Sequence, residues 1–200
     1  DPSSAHYAAK QPLAREPDAE WAYSSGTTNI VSRLVRHSLG GELNDYVTFA
    51  RARLFNPLGM GNTVIELDEA GTFVGSSFGY STPRDLARFG LLLLQDGVWE
   101  GKRLLPVGWV RYSTTPTPKA PRGVYGAHFW LNAGDPGDPT RRAMPNVPTD
   151  GYWMSGYEGQ TVMMVPSRQT VIVRLGRTPP GNQFNIDRFV SEILAAVPPM

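Results

Sequence analysis

The sequence predicts an α+β fold, with helices first, antiparallel strands after them and a last helix to cover the strands. Apolar residues recur at helical spacing through the first half of the chain. Two β-branched runs, Thr161–Val165 and Thr170–Leu175, flank Pro166-Ser167-Arg168-Gln169, as in a hairpin with a four-residue connection. A final stretch places Ile186, Phe189, Val190, Ile193, Leu194 and Val197 on one helical face.

Residues 1–22 read as an irregular lead-in, because Pro2, Pro12 and Pro17 interrupt a polar stretch. Order is expected from Trp21-Ala22-Tyr23, where an extended segment enters a helix carrying Ile30, Val31, Leu34 and Val35. Gly40-Gly41 ends that helix. A second amphipathic stretch runs from Glu42 through Leu43, Tyr46, Val47, Ala50 and Leu54 to Pro57 and the Gly59-Met60-Gly61 turn. The third helix has the clearest start. Thr82 supplies an N-cap hydroxyl, Pro83 the first helical position and Asp85 a carboxylate three residues after the cap. Leu86, Phe89 and Leu93 share a face, and Gly97 stops it. Residues 23–120 therefore form a mainly helical region, and 121–200 the strands and last helix.

Val124–Leu131 reads as an aromatic-rich strand, and residues 133–150 as a long Pro/Gly/Asp loop of a kind that is functional or mobile. Asn185 is the expected N-cap of the last helix, and Pro198-Pro199 its stop.

Composition narrows the function. Nineteen Lys+Arg against eighteen Asp+Glu, with no block of one sign, argues against a bulk nucleic-acid partner. Hydrophobic residues at 40% exclude a disordered chain. Zero cysteines remove disulfides, thiolate nucleophiles and Cys-ligated zinc. His6, His37 and His128 lie far apart without ligand spacing, so neither a metal nor a cofactor is expected. No apolar run approaches the ~18 residues of a membrane span. The compartment stays open, a periplasmic or secreted location being preferred to a cytoplasmic one.

Two segments stand out chemically. Tyr23-Ser24-Ser25 sits at a helix entry. Ser155-Gly156-Tyr157-Glu158-Gly159-Gln160 places two glycines around a polar pair, on the expected edge of a sheet, and such glycines mark a bulge or a close backbone approach.

In order and with their flanks, these segments resemble the serine β-lactamase-related hydrolases: class C β-lactamases, DD-peptidases, family VIII esterases and 6-aminohexanoate-dimer hydrolases. Trp21 through Asn29 resembles the family's Tyr-x-Asn or Tyr-x-Ser motif. Phe55-Asn56-Pro57-Leu58-Gly59-Met60 is similar to its F-x-P-L-G-M turn, and Ser81 through Phe89 to its S-T-x-x-D-L-A-R-F helix. Tyr125-Gly126 through Trp130 resembles the Y-G-x-x-W strand, and Ser155 through Gln160 the third motif, G-H-x-G-Q. The resemblance runs from about Trp21 onward and implies part of a β-lactamase/transpeptidase-like fold.

It implies roles as well. Tyr23 matches the tyrosine that hydrogen-bonds the nucleophilic serine and serves in proton transfer. A phenol titrates near ~10, so a phenolate base at neutral pH needs a shift of about three units, or ~4 kcal/mol, from a nearby cation. Ser25 matches a substrate-binding position, as do Tyr157, Glu158 and Gly159 in the third motif. Gln160 matches the residue whose backbone N–H helps form the oxyanion hole.

Two departures qualify the match. Tyr157 stands where the family has His or Lys, and a phenol does not balance a substrate carboxylate; that favours a neutral ester or amide over a penicillin. The Ser-x-x-Lys motif, which supplies the nucleophile, is absent: from Ser3 to Ser191 no serine has Lys three residues on. The expectation is a C-terminal portion, inactive alone, whose nucleophile comes from an upstream segment of the same protein or a second chain. The alternative is a non-catalytic β-lactamase-like binding module.

Overall fold

The computed structural model describes residues 1–179, 181 and 184–197. It forms two compact units, Asp1–Asp85 and Leu86–Met200.

In the first unit, α1 (Ser4–Ala9) precedes α2 (Ser25–Ser38) and α3 (Leu43–Ala50), which continues as a π-helical turn over Arg51–Phe55. A short hairpin, β1 (Val64–Ile65) with β2 (Gly79–Tyr80), follows. Helix α1 was not expected in the lead-in. It fits because Pro2 lies ahead of its cap and Pro12 beyond its end, and the Ser3 hydroxyl accepts the His6 N–H at 3.1 Å. Asp68 holds it from outside, accepting the Ser4 N–H at 2.9 Å. The amphipathic stretch after Glu42 is helical, as its pattern indicates. Its last turn widens so that the Asn56 N–H reaches the Arg51 carbonyl at 2.8 Å, five residues back. Helix α2 ends at Gly40 and Gly41, both at positive φ. It buries Asn29, while Val31, Leu34 and Val35 stay exposed.

Helix α4 (Pro83–Leu94) starts as expected: the Thr82 hydroxyl accepts the Asp85 N–H at 3.2 Å. The second unit continues through the hairpin of β3 (Val98–Trp99) and β4 (Lys102–Arg103), then α5 (Trp109–Ser113). Its sheet has β5 (Trp130–Leu131), β6 (Tyr152–Ser155), β7 (Thr161–Val165) and β8 (Thr170–Arg174) side by side in chain order, all antiparallel. The hairpin of β7 and β8 has its expected four-residue connection. Strand β6 is an addition to the sequence reading.

Alternation along the strands builds two cores. Trp130, Trp153, Met163, Val165 and Ile172 face one side, under α6 (Ile186–Ala196), whose Phe189, Val190, Ile193 and Leu194 meet them. Leu131, Tyr152, Val162, Met164 and Val171 face the other, with Leu86, Phe89 and Leu93 of α4. Asn185 caps α6, accepting the Arg188 N–H at 2.9 Å; the expected Pro198-Pro199 stop lies outside the described residues.

The aromatic run over 124–131 is not one strand. His128 takes φ +65°, and the Gly126 N–H closes on the Phe129 carbonyl at 2.9 Å. The run thus folds back on itself, bridging Tyr125 to Trp130 with their rings edge to face at 5.1 Å. The 133–150 loop is tied down rather than loose. Fully buried Asn132 donates to the carbonyls of Met144, Val147 and Pro148 and accepts the Met144 N–H. Arg142 adds bonds to the carbonyls of Pro139, Met144, Pro145 and Val147, and Asn146 reaches Asp187 of α6.

Candidate active site

The expected site residues fall into two groups, one in each unit. Tyr23 and Ser25 stand at the mouth of α2. Ser24 is extended at φ −141°, ψ 121°, and its hydroxyl caps the helix by accepting the Thr27 N–H at 3.4 Å. Tyr23 and Ser25, on either side of the cap, are exposed, Tyr23 at 59%. Gly26 lets α2 lie close on α1, since a Cβ there would stand 3.1 Å from the Ala8 Cβ. One turn past Ser25, the Asn29 side chain is buried with its Oδ1 unpartnered among the described residues. Sequence reasoning quoted Asn29 in the motif without assigning it a role; its spacing of four from Ser25 was the available signal.

The second group is a single turn. Gly156–Gln160 links β6 to β7, so it joins two inner strands rather than lying on a sheet edge. The Gly156 N–H donates to the Gln160 carbonyl at 2.8 Å, and Tyr157–Gly159 make a 3-10 turn with Glu158 at φ +55° and Gly159 at φ +89°. The two glycines do mark close approaches. A Cβ on Gly156 would lie 2.9 Å from the Gln160 Cβ, and one on Gly159 would lie 2.9 Å from Arg174 Nη1.

Within the turn the four residues part company. Tyr157 projects outward, 82% exposed. Glu158 does not present its carboxylate for a ligand: its side chain is 13% exposed and pairs with Arg177 at 2.9 Å. The Gln160 side chain donates to the carbonyls of Tyr157 and Gly176 and accepts the Gly176 N–H at 2.8 Å. Gly159 turns its carbonyl to Arg174 at 2.7 Å. The Gln160 backbone N–H has no acceptor among the described residues. A backbone donor left over by a fixed turn is what stabilisation of a developing oxyanion requires. Sequence reasoning missed Arg174 and Arg177; a basic residue on an otherwise apolar β8 was the one cue.

The histidines take no part in either group. His6 pairs with Asp1 at 2.9 Å, and Lys10 chiefly, with slight burial, holds its pKa below the ordinary value. No helix among the described residues is long and apolar enough to cross a membrane.

Among proteins of known identity, the chain is 27% identical over 172 residues to the 6-aminohexanoate-dimer hydrolase of Paenarthrobacter ureafaciens, covering 80% of this chain and 40% of that protein. A solved structure from Bacillus anthracis, described as a 6-aminohexanoate-dimer hydrolase, superposes with a TM-score of 0.69 at 21% identity. That match covers 92% of this chain and 45% of the other. A β-lactamase from Mycobacterium bovis superposes with a TM-score of 0.69 at 19% identity, over 93% of this chain and 67% of the other. The chain thus spans less than half the length of the first two relatives. Beyond these likenesses, the family model named Beta-lactamase matches residues 2–196. With its ordered motifs, antiparallel sheet and flanking helices, the chain belongs to the Beta-lactamase family and carries part of that α+β fold.

Proposed function

We propose that the chain is the C-terminal part of a serine hydrolase that cleaves a neutral ester or amide through an acyl-enzyme. The nucleophilic serine and its lysine come from an upstream segment of the same protein. The serine oxygen attacks the carbonyl carbon while its proton passes to Tyr23, in concert with that lysine. The carbonyl oxygen, now negative, takes a hydrogen bond from the Gln160 N–H. Collapse breaks the bond to the leaving alcohol or amine, which receives the proton. Water then repeats the sequence on the acyl-enzyme and frees the acid.

The observation that carries this reading is the Gln160 N–H, left without an acceptor among the described residues at the end of a turn pinned from several sides. One such donor is worth ~2.7–4 kcal/mol in the transition state. Tyr157 supports the neutral substrate, because it offers a hydroxyl where a substrate carboxylate would want a cation. Ser25 hydrogen-bonds substrate, while Glu158 serves the turn.

Hydrolysis of p-nitrophenyl butyrate by this chain and by the longer protein tests the reading. Activity is expected only in the longer protein, with Tyr23→Phe losing roughly 10²–10⁴-fold. Equal activity in the 200-residue chain would overturn the missing-nucleophile reading. An inert longer protein without Ser-x-x-Lys would instead mark a binding module.

A further inference from the structure

The Gly159–Gln160 peptide has its two ends in different company. Its N–H is the donor just described, and its carbonyl oxygen accepts Arg174 Nη1 at 2.7 Å and the Thr161 hydroxyl at 3.2 Å. Because a trans peptide is one rigid plane with C=O and N–H opposed, fixing the oxygen fixes the direction of the hydrogen. We propose that Arg174 is a positioning residue that aims and polarises the Gln160 N–H toward the reacting oxygen; this rests on the oxyanion role proposed for Gln160.

Arg174 is itself held in one pose. The same Nη1 reaches the Gly176 carbonyl at 2.8 Å, Nη2 reaches the Thr178 hydroxyl at 2.7 Å, and the guanidinium lies over the Phe184 ring at 4.3 Å. A planar fork satisfies these directions together, and a lysine ammonium does not. Gly159 is required for the approach: at φ +89°, with a Cβ 2.9 Å from Nη1, a side chain would push the guanidinium away. A charged donor on the carbonyl draws electron density from the amide and makes its N–H a stronger donor.

Closing the turn does not need Arg174. The Gly156–Gln160 backbone bond, the Gln160 side chain on Gly176, the Glu158–Arg177 ion pair and the Thr178 N–H on the Glu158 carbonyl already do so. What Arg174 adds is its hold on one carbonyl.

The test compares Arg174→Met and Arg174→Lys with wild type in the longer protein, measuring p-nitrophenyl butyrate kinetics and the Gln160 amide resonance. Arg174→Met is expected to lower kcat about 30-fold with KM within about twofold, and Arg174→Lys to recover part of the loss. The Gln160 amide proton should move upfield in Arg174→Met while the Gly156 amide, bonded within the turn, stays in place. A kcat within about twofold of wild type, or a rise in KM alone, would overturn the proposal. If Arg174→Met does not fold, Arg174→Lys carries the test, with a loss of about fivefold expected and wild-type kcat overturning it. Tyr23→Phe in the same assay separates the two ideas. If Tyr23→Phe is inactive but Arg174→Met keeps a kcat within about twofold of wild type, only the positioning role falls. If both keep full activity, the acyl-enzyme reading falls with it.

Discussion

Tyr152 stands in the sheet core at 3% exposure, and its hydroxyl has no hydrogen-bond partner among the described residues. Burial first, and then the Asp150 carboxylate, push its pKa above the ordinary phenol value. In the unfolded chain the phenol titrates near ~10, so above that pH the unfolded state releases a proton that the folded state keeps. Stability is therefore fully present below about pH 10 and falls as pH rises toward the folded-state pKa. Tyr152→Phe removes both the unpaired hydroxyl and its proton. It should leave the protein as stable as wild type or about 1 kcal/mol more stable at pH 7, and flatten the loss between pH 9 and about 11. Urea unfolding from pH 7 to about pH 11 measures both effects. Tyr46, whose pKa burial also raises, contributes to the slope that remains. Asn132 is the opposite case, a buried amide with its bonds satisfied. Asn132→Ala should cost roughly 2–4 kcal/mol and make residues 133–150 more readily cut in limited proteolysis than in wild type. At this scale the sequence was informative about types and silent about directions. Glu158 and Gln160 were both picked out, yet nothing local says that one carboxylate folds back on Arg177, or that the other residue's side chain braces Gly176.

Among elements, α4 meets the sheet at Gly90. A Cβ there would stand 2.6 Å from Val171 Cγ1 and 3.4 Å from Met164 Sδ. Alanine would gain ~0.8–1 kcal/mol of helix propensity and incur about 1–3 kcal/mol of overpacking. Gly90→Ala is therefore expected to lower the Tm, and Gly90→Val to lower it further; a Tm raised by the alanine would show that the helix shifts freely on the sheet. Elements whose signal is local were legible: the Thr82 cap, the β7–β8 connection, the apolar stripe of α6 and its Asn185 cap. Those that were not legible depend on distant partners. Helix α1 has only six residues, too few to show a period, and is held by Asp68 far along the chain. The 124–131 run has a strand's composition but turns at His128, a conformation its residue types do not announce. The 133–150 segment has a mobile loop's composition, and what ties it down is the asparagine just after β5, an arginine inside it and the reach of Asn146 to Asp187.

For the whole molecule, the family was readable because its motifs come in order, each tied to a turn or cap that needs particular residues. The division into units at Asp85 was not readable, since it falls within the first turn of a continuous helix. The sheet has a further consequence, in time rather than space. Every strand pairs with its successor along the chain. The connections after β6 and β7 are five and four residues, whereas β5 and β6 are parted by residues 132–151. Closing about four times the loop length adds roughly 1.2 kcal/mol of chain entropy. The β6–β7–β8 core, with its clamped turn, is therefore the early nucleus, and β5 docks late, once Asn132 has gathered its loop. Contacts made after the barrier govern departure rather than arrival. Asn132→Ala should accordingly speed unfolding in a stopped-flow chevron while leaving the refolding limb where it is, and a slowed refolding limb would place β5 in the nucleus after all.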